Sequence, residues 1–241
     1  EVVGGKGASL ARLAAAGLPV PNGFHVSTAA YRQFVDANNL QPRILAAVEG
    51  ADPDRPATLD AAEREIQEMF CTAPIPAEIA GAIVQAYASL EGRHPTVAVR
   101  SSATAEDLPG LSFAGQQETY LNVSGSTEVL AAVRRCWASL WTARAIAYRK
   151  RHSIDQTTVS LAVVVQLLVP ADAAGIIFTA DPVTGARDQA LVSAAWGLGE
   201  AIVGGLVTPD TLTVDKAAGR VLSRETADKQ VMTGRVNGGT Q

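Results

Sequence analysis

The sequence predicts an α+β fold, with a helical first half and a strand-rich second half. Three observations carry this reading. As far as residue 151, apolar residues recur at three- and four-residue spacing. From residue 159 they gather instead in short runs separated by Gly, Asp and Pro. Within the helical part, residues 97–122 break the periodicity with a dense set of hydroxyls, amides and glycines around one arginine.

Composition sets the bounds. A chain of 241 residues with 47% hydrophobic and 18% charged residues can bury the core of one large domain or two small lobes. Its net charge of −4 lacks the basic footprint of a nucleic-acid binder. No run reaches the ~18 apolar residues of a membrane span. The most apolar segment, 161–169, carries Gln166 inside it and reads as a buried strand. Cys71 and Cys136 have no CxxC spacing and read as buried thiols, which favours a cytoplasmic protein over a disulfide scaffold. The chain opens on EVVGGKGASL and stops at RVNGGTQ, and both ends read as truncations.

Along the chain, Leu10, Leu13 and Ala14 predict a helix with Lys6 at or just before its N-terminus, where free N–H groups favour phosphate. LPVPNGFHV is a turn-rich entry into a short strand, because each proline fixes its own φ and biases its predecessor away from helix. Ser27 or Thr28 then caps a helix with Tyr31, Phe34 and Val35 inward, and further helices are expected over 61–70 and 76–90. Residues 128–151 read as one long amphipathic helix with Val133, Trp137, Leu140 and Trp141 on its apolar face. Its basic residues, among them Arg134, Arg149 and Lys150, read as a solvated face or as a contact with a neighbouring domain. Strands are expected at 161–169, 175–179 and 190–194, then as a hairpin of 211–214 and 220–223, with a short helix or turn over 199–205.

The run VAVRSSATAEDLPGLSFAGQQETYLN reads as a short strand ending at Arg100, followed by a loop built to meet a polar ligand. An arginine fork beside glycine-permitted backbone suits a polyphosphate, since charge-assisted bonds are the strong ones. Taken alone, the same residues suit an ordinary polar loop with a surface arginine. Lys6 in GGKGAS lacks Walker A spacing. Gln166 must be tied to backbone or read a ligand. GLGEA misses the dinucleotide fingerprint, because Ile202 stands where its third glycine would be.

This stretch, with VGGKGASLARL, LPVPNGF, CWASLWTARAIAYR, GIIFTADPVTG and WGLGEAIVGGLVTPD in that order, resembles the ATP-binding domain shared by phosphoenolpyruvate synthase, pyruvate phosphate dikinase and rifampin phosphotransferase. FTADPVTG and GQQETYLN lean toward the rifampin phosphotransferase branch, which would imply antibiotic resistance. The resemblance implies a two-lobed ATP-grasp-like nucleotide-binding domain, with residues 1–170 as first lobe, 171–241 as part of a second, and the nucleotide between them. By the same resemblance, Lys6 and Arg100 are the catalytic, phosphate-holding cations. Gly115, Gln116 and Thr119 belong to a phosphate-covering loop, and Gln166 recognises adenine.

ATP and Mg2+ are the implied cofactors. The implied reaction passes the β-phosphoryl group through a phosphohistidine on another domain of the full-length protein to a second substrate, a rifampin-like antibiotic or pyruvate. The family's acidic magnesium motif does not occur in this sequence, so no metal ligand is assigned. His25, His94 and His152 lie outside any phosphohistidine-like motif and read as structural or surface residues. A nucleotide-sensing module without catalysis is the alternative.

Overall fold

A computed structural model of the chain describes residues 2–92, 94–103, 118–236 and 239–240. The chain divides into two compact units, Glu1–Leu168 and Val169–Gln241.

The first unit is built on a four-stranded antiparallel sheet. Its strands are β1 (Gly23–Val26), β2 (Val97–Ala103), β3 (Thr119–Val123) and β4 (Leu161–Leu167), in the order β1-β4-β2-β3. Strand alternation sorts the residues by face. Val97 and Val99 of β2, Leu161, Val163 and Val165 of β4, and Val26 of β1 enter one continuous core. Helices cover that side: α2 (Thr28–Ala37), α3 (Gln41–Glu49), α4 (Pro56–Thr72), α5 (Ala77–Ala88), α6 (Ser126–Ala138) and α7 (Ala143–Arg151). Phe34, Phe70 and Trp137 are fully buried there, with the Phe34 and Trp137 ring centroids 4.9 Å apart. On the opposite face, α1 (Gly4–Ala15) lies on β2 and β4.

Several local expectations change. Residues 128–151 form two helices, not one. A 3₁₀ turn at Ser139–Trp141 intervenes, and Thr142, with ψ of 151°, caps α7 by accepting a bond from the Ala145 N–H at 3.3 Å. The basic residues expected on a solvated face instead hold helix C-termini. Arg134 Nη1 donates to the Cys71 carbonyl at 2.9 Å, just past the last buried turn of α4. Lys150 Nζ donates to the carbonyls of Val48, Glu49 and Ala51 at the end of α3. Arg149 is buried. Cys136 is buried as expected, and burial raises its thiol pKa, but Cys71 is exposed. The helix α3 has no counterpart in the expected elements, and its Pro42 sits in the first turn, where the missing N–H costs nothing. Pro76 is the N-cap of α5, not part of its first turn. Leu13, one of the residues whose spacing predicts α1, is 43% exposed.

The second unit is a four-stranded antiparallel meander. It comprises β5 (Ala173–Phe178), β6 (Gln189–Trp196), β7 (Asp210–Asp215) and β8 (Arg220–Glu225), with the short helix α8 (Glu200–Val203) after β6 and a small ribbon of β9 (Arg235–Val236) and β10 (Gly239–Thr240). The strands expected here are all present, and their turns follow from sequence chemistry. Asp181 Oδ1 accepts the N–H groups of Val183 and Thr184 at 2.7 and 3.1 Å, and Gly185 closes the turn at φ +74°. Asp215 Oδ1 does the same for Ala217 and Ala218 in the β7–β8 hairpin. In GLGEA, Gly197 has φ +79° and bridges Thr233, whose carbonyl oxygen a β-carbon would meet at 2.3 Å. That glycine therefore serves chain packing. Among the described residues no single helix is long and apolar enough to cross a membrane.

Candidate functional site

The α1 face of the first sheet gathers the residues of interest. Pairing register fixes a row straight across it: His25 on β1 stands opposite Val164 on β4, Val164 opposite Arg100 on β2, and Arg100 opposite Thr119 on β3. Directly opposed residues share a face, so His25, Arg100 and Thr119 all belong to the side that α1 covers. Gln166 lies two residues along β4 from Val164, on the same face, in the next row with Gly23 and Ala98.

The helix α1 reaches this face through its glycines. Gly7 N–H donates to Ser102 Oγ at 3.3 Å, and Ser102 Oγ in turn donates to the Val3 carbonyl at 2.8 Å. A β-carbon on Gly7 would come within 3.2 Å of His25 Cε1 and 2.9 Å of Val3 Cβ. The strand β2 therefore continues past Arg100, contrary to the expected loop. Ser101 and Ser102 are both buried, and this is tolerable because each hydroxyl has a partner: Ser101 Oγ donates to the Glu118 carbonyl at 3.2 Å.

Lys6 sits in the first turn of α1, as expected, and its Nζ donates to the Ser101 carbonyl at 3.1 Å, one residue from Arg100. The N-cap of that helix is Val3, which offers no side-chain cap. The positive end of the helix dipole and the Lys6 ammonium therefore point into the same region.

Beside this row, α1, β1 and β4 enclose a cleft of about 210 Å³. Leu10, Ala14, Pro21 and Val164 give it apolar walls, and Asn22, His25 and Gln166 are its polar lining residues. Gln166 is 9% exposed and its Nε2 donates to the Pro21 carbonyl at 3.0 Å. The amide oxygen remains as the group able to accept a bond. Burial pushes the His25 pKa below its ordinary value, which favours the neutral imidazole.

Lys6, Arg100, Thr119 and Gln166 thus come to one face from four separate segments. Gly115 and Gln116 lie outside the described residues, as do Glu106 and Asp107. Two participants in this geometry escaped the sequence reading. Ser102 falls in the expected loop, and His25 is expected to be a structural or surface residue. The alternation in VAVRSSA, with apolar residues at Val97, Val99 and Ala103, carried the signal that places Ser102 beside Arg100. Among the described residues, no three His, Cys, Asp or Glu side chains come together as a metal site.

Residues 1–241 match the family model of the pyruvate phosphate dikinase AMP/ATP-binding domain. A probable phosphoenolpyruvate synthase of Methanothermobacter thermautotrophicus is 46% identical over 99% of this chain and 35% of its own length. The phosphoenolpyruvate synthase of Pyrococcus furiosus is 41% identical over 96% of this chain and 33% of its own length. A rifampicin phosphotransferase of a Streptomyces species is 48% identical over 98% of this chain and 27% of its own length. The chain therefore spans about a third of the length of such relatives. With the match running over the whole chain, and with two cations and a buried amide on one sheet face, the protein belongs to the pyruvate phosphate dikinase AMP/ATP-binding domain family.

Proposed function

We propose that the α1 face of the first sheet holds ATP, as the nucleotide-binding module of a dikinase-type phosphotransferase with an ATP-grasp-like domain. The observation that carries the reading is the convergence of Lys6 and Arg100. The ammonium of Lys6 reaches the Ser101 carbonyl, so two cations from segments 94 residues apart in sequence come to adjacent backbone positions. Such a pair suits a polyphosphate chain. A guanidinium holds two oxygens in a fixed fork, while a compact ammonium can follow charge as it moves from one phosphorus to the next. Thr119, directly opposite Arg100, adds a hydroxyl to the same row. The apolar cleft ending at Gln166 suits a purine, whose exocyclic amine would donate to the free amide oxygen.

In the full-length protein, the reading has the β-phosphoryl group pass from ATP to a histidine of another domain. Water takes the terminal phosphoryl group as inorganic phosphate, and AMP leaves. The histidine then passes its phosphoryl group to a second substrate, a rifampin-like antibiotic or pyruvate. Lys6 and Arg100 stabilise the charge that develops on the transferring group, in a position fixed before the reaction begins. The family resemblance implies magnesium as well. The described side chains fit phosphates and do not fit a metal ion, so no step of this reading rests on metal ligands within them.

The test is transfer of label from ATP to the intact protein that contains this chain. Label in the β position should appear on the protein in an acid-labile, base-stable form, and Lys6→Ala and Arg100→Ala should each slow it by on the order of 10². Labelling from the γ position alone would refute a dikinase.

A further inference from the structure

A purine at Gln166 leaves a second polar group of the same cleft without a task. His25 of β1 lines the cleft together with Gln166, Leu10, Ala14 and Val164. Among the described residues neither of its ring nitrogens has a hydrogen-bond partner. The ring is nonetheless held in place. Gly7 of α1 lies so close that a β-carbon there would stand 3.2 Å from His25 Cε1.

Strand register fixes where His25 stands relative to the two ends of such a nucleotide. His25 is opposite Val164, and Gln166 is two residues further along β4, so the two are diagonal neighbours roughly 7–8 Å apart. That is about the reach of a purine and its first sugar carbon. Across the sheet, Val164 separates His25 from Arg100, which stands in the same row two strands away, at roughly 10 Å. A nucleotide with its base at Gln166 and its phosphates at Arg100 therefore brings its sugar to the His25 row. The remaining polar lining residue, Asn22, precedes Gly23, the partner of Gln166, and so lies beyond the base, away from that row.

The chemistry of the ring selects the sugar over the phosphates. Partial burial lowers the His25 pKa, so near neutral pH the imidazole is uncharged, with one nitrogen a donor and the other an acceptor. An uncharged ring adds little to the hold on phosphate that Lys6 and Arg100 supply. A sugar hydroxyl both donates and accepts, so it satisfies either nitrogen. We propose that His25 binds the ribose of the nucleotide through a hydrogen bond to its 2′- or 3′-hydroxyl, and so sets a preference for ribonucleotides. This assignment rests on the placement of ATP on the α1 face.

The experiment is calorimetric titration of the wild-type chain, His25→Val and His25→Asn with ATP, 2′-deoxyATP, 3′-deoxyATP and tripolyphosphate, at constant ionic strength near neutral pH. The wild type should prefer ATP over one of the two deoxynucleotides by about fivefold or more, the size of one net hydrogen bond. Which deoxynucleotide binds more weakly identifies the hydroxyl. His25→Val should remove the preference and leave tripolyphosphate binding unchanged, whereas His25→Asn, which keeps a donor and an acceptor, should restore part of it. His25 is exposed on an edge strand, where valine is a good strand former, so the melting midpoint of His25→Val should move little. Equal binding of ATP and both deoxynucleotides by the wild type, or a preference that survives His25→Val, overturns the proposal and leaves the ATP site standing. A wild-type chain that binds neither ATP nor tripolyphosphate would instead remove the placement of ATP, and the role of His25 with it.

Discussion

Gly4 and Ser102 meet so closely that a β-carbon on Gly4 would stand 2.2 Å from the Ser102 carbonyl oxygen and 2.4 Å from its Oγ. Gly4 also has φ of +68° at the first residue of α1. Both facts demand glycine, and together they set how deeply the Lys6-bearing turn sits on β2. Gly4→Ala should therefore cost more than about 2 kcal/mol of stability, the sum of a left-handed backbone penalty and a collision with backbone that cannot move aside. Gly17→Ala supplies the control: φ there is +75° but nothing lies within 4 Å. Only the backbone penalty of about 1–2 kcal/mol applies. Urea denaturation of the two variants decides it, and equal losses would mean that the close approach to Ser102 is unimportant.

Arg134 and Lys150 should matter for folding, because each closes a helix end. Arg134 donates to the Cys71 and Ala73 carbonyls at the C-terminal end of α4, and Lys150 to carbonyls that end α3. Substitution of either by alanine should cost about 1 kcal/mol or more, since charged donors to helix-terminal carbonyls are lost. Arg43→Ala, on the exposed side of α3, should change stability by no more than ~0.5 kcal/mol. Three indistinguishable melting curves would return these residues to a merely solvated role.

These basic residues show where the sequence was legible and where it was not. Helical spacing reports the buried face of α2 through Tyr31, Phe34 and Val35, and the turn residues 216–219, closed by Gly219, report the β7–β8 hairpin. Those signals are local. The partners of Arg134 and Lys150 lie 63 and 102 residues away, and nothing in a local window distinguishes such a cap from a solvated charge. The break at Thr142 was hidden for a related reason, as the apolar periodicity runs on through the 3₁₀ turn to Trp141. For the candidate site, the residue types were visible in the motifs, but their assembly on one face depends on strand register. Ser101 and Ser102 looked unfit for a buried strand because the partners that satisfy them, Glu118 and Val3, come from other elements.

Gln166→Leu should have two separable effects. Loss of the bond to the Pro21 carbonyl should cost about 1 kcal/mol of stability. Loss of the amide oxygen at the cleft should weaken ATP roughly tenfold or more while leaving tripolyphosphate unaffected, because only the base end is touched. The comparison is ATP against tripolyphosphate in wild type and variant. A parallel loss of both ligands would make Gln166 a structural tie between β4 and the Pro21 turn and nothing more.

His25 gives the fold a mild acid sensitivity. Unfolded, its imidazole takes up a proton near the ordinary value of 6.5, whereas in the folded chain burial holds its pKa lower. Acidification through that value protonates the unfolded chain first and draws the equilibrium toward it. Stability should thus fall as pH drops from about 7 toward 5, with this contribution levelling off below the folded pKa. The slope should be shallower in His25→Asn. Urea midpoints at a series of pH values measure it, and identical slopes in the two proteins would exclude a His25 contribution.

The account's central claim is that Lys6 and Arg100 together hold the phosphates of ATP on the α1 face of the first sheet. The most direct measurement is calorimetric titration of ATP into the wild-type chain, Lys6→Ala, Arg100→Ala and the double variant, at matched ionic strength, with each variant's melting midpoint recorded without nucleotide. The account predicts one site, weakened at least about tenfold by either substitution, since a charge-assisted hydrogen bond contributes about 1.5–3 kcal/mol. It also predicts that the melting midpoints move little. A double variant that binds ATP with wild-type affinity would contradict it.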